Sequence, residues 1–231
     1  MSARYAIYFA PDRHSPWRTF GAGWLGRDEH DSAVLEQPQL AGISRQELDH
    51  FTAEPRRYGF HATLKAPFRL APGYAEPALV SRLAALAASL QPLSLGPMCV
   101  TSIGSFVALV PEHPPAALQQ LAARCVSELD ALRAAPIDAE IARRRPTELD
   151  RREAELLALY GYPHVMERFR LHLTLTGPLE PSDAHRVREA VAPKVAELNA
   201  AAPLWLDRLC LFVQAAPQAP FHRIIDLRLP A

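Results

Sequence analysis

The sequence predicts an α+β protein built from two copies of one unit, and three observations carry that expectation. Stretches that alternate like strands are interspersed with stretches of helical periodicity. An apolar content of 49% over 231 residues is enough to bury a full core, as one large domain or as two small lobes sharing a cleft. A strand, helix, strand, strand order also occurs twice along the chain.

The elements follow in order. Ala3 to Ala10 alternates as a strand does, whereas Pro11 to Gly42, with Trp17, Trp24 and scattered glycines and prolines, reads as irregular structure. Ser44 with Glu47 three residues on forms a capping box ahead of Leu48 and Phe51, so a short helix is expected there, stopped by Pro55. A strand follows within 58–66, then a helix near Glu76 to Leu90 and strands near Leu93 to Thr101 and Ser105 to Val110. Pro114 opens a helix reaching about Arg133. The segment 137–165 turns charged, with Arg143, Arg144 and Arg145 in a row and a helix expected from Thr147 to its closing Gly161; it reads as an insertion or linker. After it come a strand within 169–176, a helix near Ser182 to Ala200, and strands near Leu204 to Val213 and Phe221 to Leu229.

The repetition has a fixed offset. Sliding the chain over itself, without a gap, until His61 falls on His172 also places Thr63 on Thr174, Leu64 on Leu175 and Pro67 on Pro178. The same shift places Pro92, Leu93, Leu95 and Cys99 on Pro203, Leu204, Leu206 and Cys210. One offset that aligns two separate clusters points to duplication.

Each copy carries His-x-Thr-Leu, as His61 to Leu64 and as His172 to Leu175. Strand alternation puts His61, Thr63 and Lys65 on one face, and Arg170, His172, Thr174 and Thr176 on one face of the second copy, each opposite an apolar face. Phosphodiester hydrolysis needs a base for water, an acid for the leaving oxygen and donors for the phosphoryl oxygens. Imidazole, with a pKa of about 6.5, supplies either proton role near neutrality. The threonine hydroxyls supply donors, and a pseudo-twofold arrangement would set one histidine on each side of the phosphate.

The paired motifs resemble the two-histidine (2H) phosphoesterase superfamily. Tyr58 to Phe68, with Phe169 to Gly177, is similar to its bacterial branch associated with phosphonate metabolism, and the likeness extends through Tyr5 to Pro11 and Tyr160 to Glu167. The resemblance implies a bilobal α+β fold with an antiparallel sheet in each lobe and a cleft between them. It also implies catalysis by His61 and His172, phosphoryl binding by Thr63 and Thr174, no metal or cofactor, and a small cyclic phosphodiester of a sugar or nucleotide as substrate. Lys65, Tyr58, Tyr162, Arg170 and Arg143 are further candidates for substrate contact.

Composition narrows the alternatives. Lys+Arg and Asp+Glu are both 25, a balance that argues against broad nucleic-acid binding. RNA 2′,3′-cyclic phosphate end-processing is therefore a weaker alternative, beside a non-catalytic module that binds phosphate esters. No apolar run approaches the roughly 20 residues of a membrane span, and Met1 to Ala10 lacks a long apolar signal core, so a cytoplasmic protein without membrane attachment is expected. Cys99, Cys125 and Cys210 fit reduced core thiols. Gly21, Gly23 and Gly26 spell a dinucleotide fingerprint without the strand that should precede it, and Asp28 to Asp31 reads as a solvated turn rather than a cation site. Oligomeric state is left open by these features.

Overall fold

The computed structural model describes residues 3–137, 140 and 149–230. The elements are β1 (Arg4–Phe9), α1 (Pro16–Leu25), α2 (Arg45–Arg56), β2 (Ala62–Phe68), α3 (Glu76–Ala88), β3 (Leu93–Gly96), β4 (Met98–Ile103), β5 (Phe106–Pro111), α4 (Ala117–Ser127), α5 (Arg151–Tyr160), β6 (Leu173–Thr174), α6 (Pro181–Ala201), β7 (Leu204–Leu206), β8 (Arg208–Gln214) and β9 (His222–Arg228). The class is α+β. Among the described residues every strand pair is antiparallel, in sheets ordered β2-β1-β8-β9, β4-β5-β6 and β3-β7.

The element bounds repeat at the shift seen in the sequence. Under the displacement that carries His61 onto His172, β3 and β4 fall on β7 and β8, and α3 falls inside α6. The counterparts β3 and β7 hydrogen-bond to each other, Leu93 opposite Leu206 and Gly96 opposite Leu204. Each repeat also gives its hairpin away: β8-β9 extends the sheet that holds the first motif strand, β2, while β4-β5 forms the sheet of the second, β6. Neither sheet is complete without strands from both halves.

Several local expectations are corrected. The stretch expected to be irregular contains α1, which Ser15 caps by accepting from the Trp17 N–H (3.2 Å), with Pro16 in the first turn and Gly26 closing the end. Its glycines hid it, since each costs a helix about 1 kcal/mol. The burial of Trp17, Trp24 and Leu25 against the core outweighs that cost. The supposed fingerprint glycines are thus two positions on different faces of a helix and its cap. In α2 the capping box forms as expected, but Pro55 sits inside the last turn and the helix ends at Arg56. Because proline has no N–H, the carbonyl of Phe51 lacks its intrahelical donor, and it accepts from Gly177 instead (2.8 Å).

The strand expected within 58–66 begins only at Ala62, since Gly59 has φ +80 and breaks the extended run. The strand expected within 169–176 forms a ladder only at Leu173–Thr174. Beyond it, Leu175 and Thr176 both donate to the Val107 carbonyl, a local bulge that ends regular pairing. The helix expected from Thr147 is described from Arg151, capped by Asp150 and closed by Gly161, and Arg143, Arg144 and Arg145 lie outside the described residues. The helix expected from Pro114 to Arg133 is shorter, with a separate 3-10 turn at Asp130–Leu132.

Gly21 is where α1 meets the first motif: a Cβ there would come within 2.0 Å of the Phe60 ring. Gly21→Ala should therefore lower stability by about 1–3 kcal/mol despite the gain in helix propensity. Gly23→Ala, with nothing within 4 Å of its new methyl, should raise stability by up to about 1 kcal/mol. Urea midpoints at unchanged slope measure both, and equal midpoints for the two variants would contradict the packing.

Candidate functional site

The site begins at β1, because it sets the faces of the sheet holding the first motif. Tyr8 pairs with Thr63 and Cys210, so Tyr8 and Thr63 point the same way. The Tyr8 ring stacks on His61, centroids 3.7 Å apart at 24°. Both side chains, with Thr63, Tyr58, Phe106, Tyr162, Thr174 and Thr176, line one cavity of about 360 Å³, within the range of small-molecule sites.

The two histidines are held alike. His61 Nδ1 lies 2.9 Å from the Gly59 carbonyl, and His172 Nδ1 lies 2.9 Å from the Arg170 carbonyl. A carbonyl only accepts, so each Nδ1 carries the proton and each neutral ring keeps its lone pair on Nε2. At His61 that lone pair faces the Thr63 hydroxyl (3.3 Å). Gly59 serves this geometry through its positive φ, and a side chain there would meet Glu29 Cβ at 2.8 Å.

The second motif is held from outside its ladder. Trp24 Nε1 donates to the Leu175 carbonyl (2.9 Å), Gly177 donates to the Phe51 carbonyl freed by Pro55, and the buried Thr176 hydroxyl accepts from Val107 (3.0 Å) while donating to Gly177 (2.8 Å). Three bonds from separate elements fix the backbone that carries Thr174. His172 packs 5.7 Å from Phe106; its ring is not among the groups lining the cavity, but Phe106 and Thr174 beside it are.

Lys65 departs from its expected face. The pairing of Ile7 with Lys65 and of Tyr8 with Thr63 skips Leu64, a bulge that turns Lys65 onto the Ile7 side, away from Thr63. It is 3% exposed, donating to the Val126 carbonyl (2.9 Å) and Asp130 (3.0 Å). Strand alternation misplaced it because the bulge is invisible in one strand's sequence. Arg170 is exposed and lines a different groove with Cys99 and Phe169. Tyr58 and Tyr162 line the main cavity; Arg143 lies outside the described residues.

Sequence reasoning missed Tyr8, Phe106 and Arg4, all lining the cavity. The alternation of Arg4, Ala6 and Tyr8 within β1 was a usable signal. Trp17 and Trp24 gain a purpose, since Trp17 Nε1 donates to Ala202 (2.6 Å) at the end of α6 as Trp24 does beside the second motif. Asp28 and Glu29 are not a solvated turn: Asp28 meets Arg18 at 2.6 Å, and the fully buried Glu29 meets Arg223 at 3.4 Å. Among the described residues no group of three or more His, Cys, Asp or Glu is placed to hold a metal, and no helix is long and apolar enough to cross a membrane. Burial pushes the Cys125 thiol up to about 12 and raises Cys210 as well, so both are inert core thiols.

Burial also depresses the histidines. It lowers His61 to about 4, helped by the charge of His172 and opposed by the bond to Gly59. His172 is lowered by burial and by Arg170 and His164, against its bond to the Arg170 carbonyl. Both rings are expected neutral at pH 7 in the free protein, and ring-proton NMR should show His61 titrating near 4 and His172 below 6.5. The unfolded chain then binds more protons than the folded one between about 4 and 6.5, so stability should fall as pH drops through that window. Midpoints at about 6.5 for both would contradict this environment.

Curated relatives include proteins named ribose 1,5-bisphosphate phosphokinase PhnN from Janthinobacterium sp. (strain Marseille), 40% identical over 94% of this chain, and from Laribacter hongkongensis (strain HLHK9), 36% identical over 95%. The aligned region is 49% and 50% of those proteins, so the chain spans about half the length of the curated relatives it matches. A crystal structure described as a phosphoesterase aligns over all of both chains at 16% identity and a TM-score of 0.42. The DUF1045 family, described as a protein of unknown function, matches residues 63–222, from Thr63 of the first motif through the whole of the second to the first residue of β9. The chain belongs to the DUF1045 family.

Proposed function

We propose that this protein is a two-histidine phosphoesterase that hydrolyses a cyclic phosphodiester of a small sugar or nucleotide without a metal. The observation that carries the reading is the matched pair of Nδ1-to-carbonyl bonds at His61 and His172, which leaves Nε2 of each neutral ring as the nitrogen for proton transfer, His61 lining the cavity beside Thr63 and His172 packed on the cavity-lining Phe106. In the reaction water attacks phosphorus while one Nε2 takes its proton. The bond from phosphorus to the ring oxygen breaks, and the other imidazolium protonates that oxygen. Thr63 and Thr174 donate to the phosphoryl oxygens. One water is consumed, and the product is a phosphate monoester.

The relatives' name supports a ribose phosphate as substrate. Hydrolysis of a ribose 1,2-cyclic phosphate at the bond to O2 leaves a 1-phosphate; with a 5-phosphate already present, the product is ribose 1,5-bisphosphate, the compound in that name. The sequence has no Gly-x-x-x-x-Gly-Lys-Ser/Thr segment, so we assign the named kinase activity to the half of those relatives that this chain does not match. The phosphonate association implied by the motifs is part of the same proposal, as is a cytoplasmic location.

A catalytic acid must be protonated and a base neutral, and both histidines titrate below the ordinary range in the free protein. Substrate anion raises the pKa of the ring it touches. The kcat/KM profile should peak between about 4 and 6.5 and fall above as the acid loses its proton. Turnover of ribose and nucleoside cyclic phosphates should persist in EDTA, and His61→Ala and His172→Ala should each lose about 10²- to 10⁴-fold. Near-wild-type turnover in His172→Ala, or loss in EDTA restored by a divalent cation, would overturn the mechanism. Saturable binding of phosphate esters with no turnover across the panel would favour a binding module.

A further inference from the structure

We propose that Arg27, which follows the Gly26 cap of α1, is a positioning residue for the first motif: its guanidinium clasps the turn from which His61 takes its orientation. This inference rests on the phosphoesterase reading and names a residue that acts through His61 without touching substrate.

Arg27 is 7% exposed, and its fork meets three carbonyls from two separate segments. Nη1 donates to Arg56 (2.8 Å) and Arg57 (3.2 Å), the last residue of α2 and its cap, and Nη2 donates to Phe221, just before β9. The Phe221 N–H returns to the Arg57 carbonyl (2.7 Å), so the end of α2 and Phe221 are locked together on one cation. The clasp is reciprocal, because Arg56 Nε donates to the Leu25 carbonyl at the end of α1 (2.6 Å). The fork is fixed in turn: Arg27 Nε donates to Ser32 Oγ (3.3 Å), within a tight loop closed by the Arg27–Val34 bridge and by the Asp28 N–H on the Ala33 carbonyl (2.9 Å).

What the fork holds is the approach to the motif. Tyr58 follows Arg57 directly, and its ring stacks on Phe221 at 5.3 Å in the cavity wall, 6.3 Å from His61. Gly59 comes next, and its carbonyl is the partner of His61 Nδ1. The loop that carries Arg27 also packs on Gly59, since Glu29 Cβ lies 2.8 Å from where a side chain there would begin, and Glu29 is pinned by Arg18 (3.2 Å) and Arg223 (3.4 Å). A helix end open to water needs no such clasp, because water satisfies its last carbonyls. Trp24, three residues before Arg27, holds the second motif at the Leu175 carbonyl. The end of α1 therefore grips both motifs, and Arg27 is its hold on the first. A planar fork serves three carbonyls at once, whereas a lysine is a point donor.

The test reads the two motif histidines separately, by NMR of their Nδ1–H protons. Arg27→Met should shift the His61 resonance and speed its exchange with water about 10-fold or more, while the exchange of His172 stays within about twofold. Arg27→Lys should produce a smaller change of the same kind. In turnover of a cyclic phosphate, Arg27→Met should lower kcat about 10- to 100-fold with KM within about threefold, because a misplaced imidazole costs rate rather than affinity. If Arg27→Met fails to fold, Arg27→Lys decides, and in the unsubstituted protein the Arg27 Nε–H and the His61 Nδ1–H should lose protection with the same urea dependence. An unmoved His61 resonance in a folded variant, equal loosening of both histidines, or separate urea dependences would each overturn the assignment. A change confined to His61 in a protein that turns over no cyclic phosphate would sink the hydrolase reading alone, and turnover that Arg27→Met leaves unchanged would sink this one alone.

Discussion

The constraint on which the site depends is a hydrogen bond within each motif, from the histidine Nδ1 to the carbonyl two residues before it. It fixes the tautomer, and with it which nitrogen can act. A side chain on a regular strand cannot reach that carbonyl comfortably, so both segments leave the regular ladder there. Gly59 does so with a positive φ, and Phe169 to His172 precede the short β6 ladder without joining it. The surroundings hold those departures in place: the Phe60 ring fills the space left by Gly21, and Trp24 and the Phe51 carbonyl hold the backbone after Thr174.

The sheets serve the same end at larger scale. Because each repeat lends its hairpin to the sheet holding the other repeat's motif, folding of one half depends on the other. The contact of β3 with β7, equivalent strands paired antiparallel, is the arrangement a duplicated unit makes about a twofold axis. Such an arrangement sets His61 in the cavity and His172 against Phe106, which lines that cavity from the other sheet.

What could be read from the sequence was what is local. The His-x-Thr pair, the Ser44 and Glu47 capping box and the single offset between the two copies each involve neighbours in the chain or exact repetition, and each reappears in the structure. What could not be read depends on partners distant in sequence. The bulge that turns Lys65 away from Thr63 exists only in the register of β2 against β1. α1 was hidden because glycine lowers helix propensity, whereas its reason for glycine is the ring of Phe60, far along the chain. Tyr8 and Arg4 enter the site because β1 is central in its sheet, a fact of topology. Pro55 was read as a helix stop, but its larger effect is to free a carbonyl for Gly177.

The central claim is that two histidines address one phosphate from opposite sides. The most direct measurement is a crystal structure with vanadate or inorganic phosphate bound in the cavity. The account predicts the anion between the motifs, with Nε2 of His61 and Nε2 of His172 each within about 3 Å of a different oxygen and both threonine hydroxyls donating to it. An anion held by one histidine alone, or seated away from Thr63 and Thr174, would contradict it.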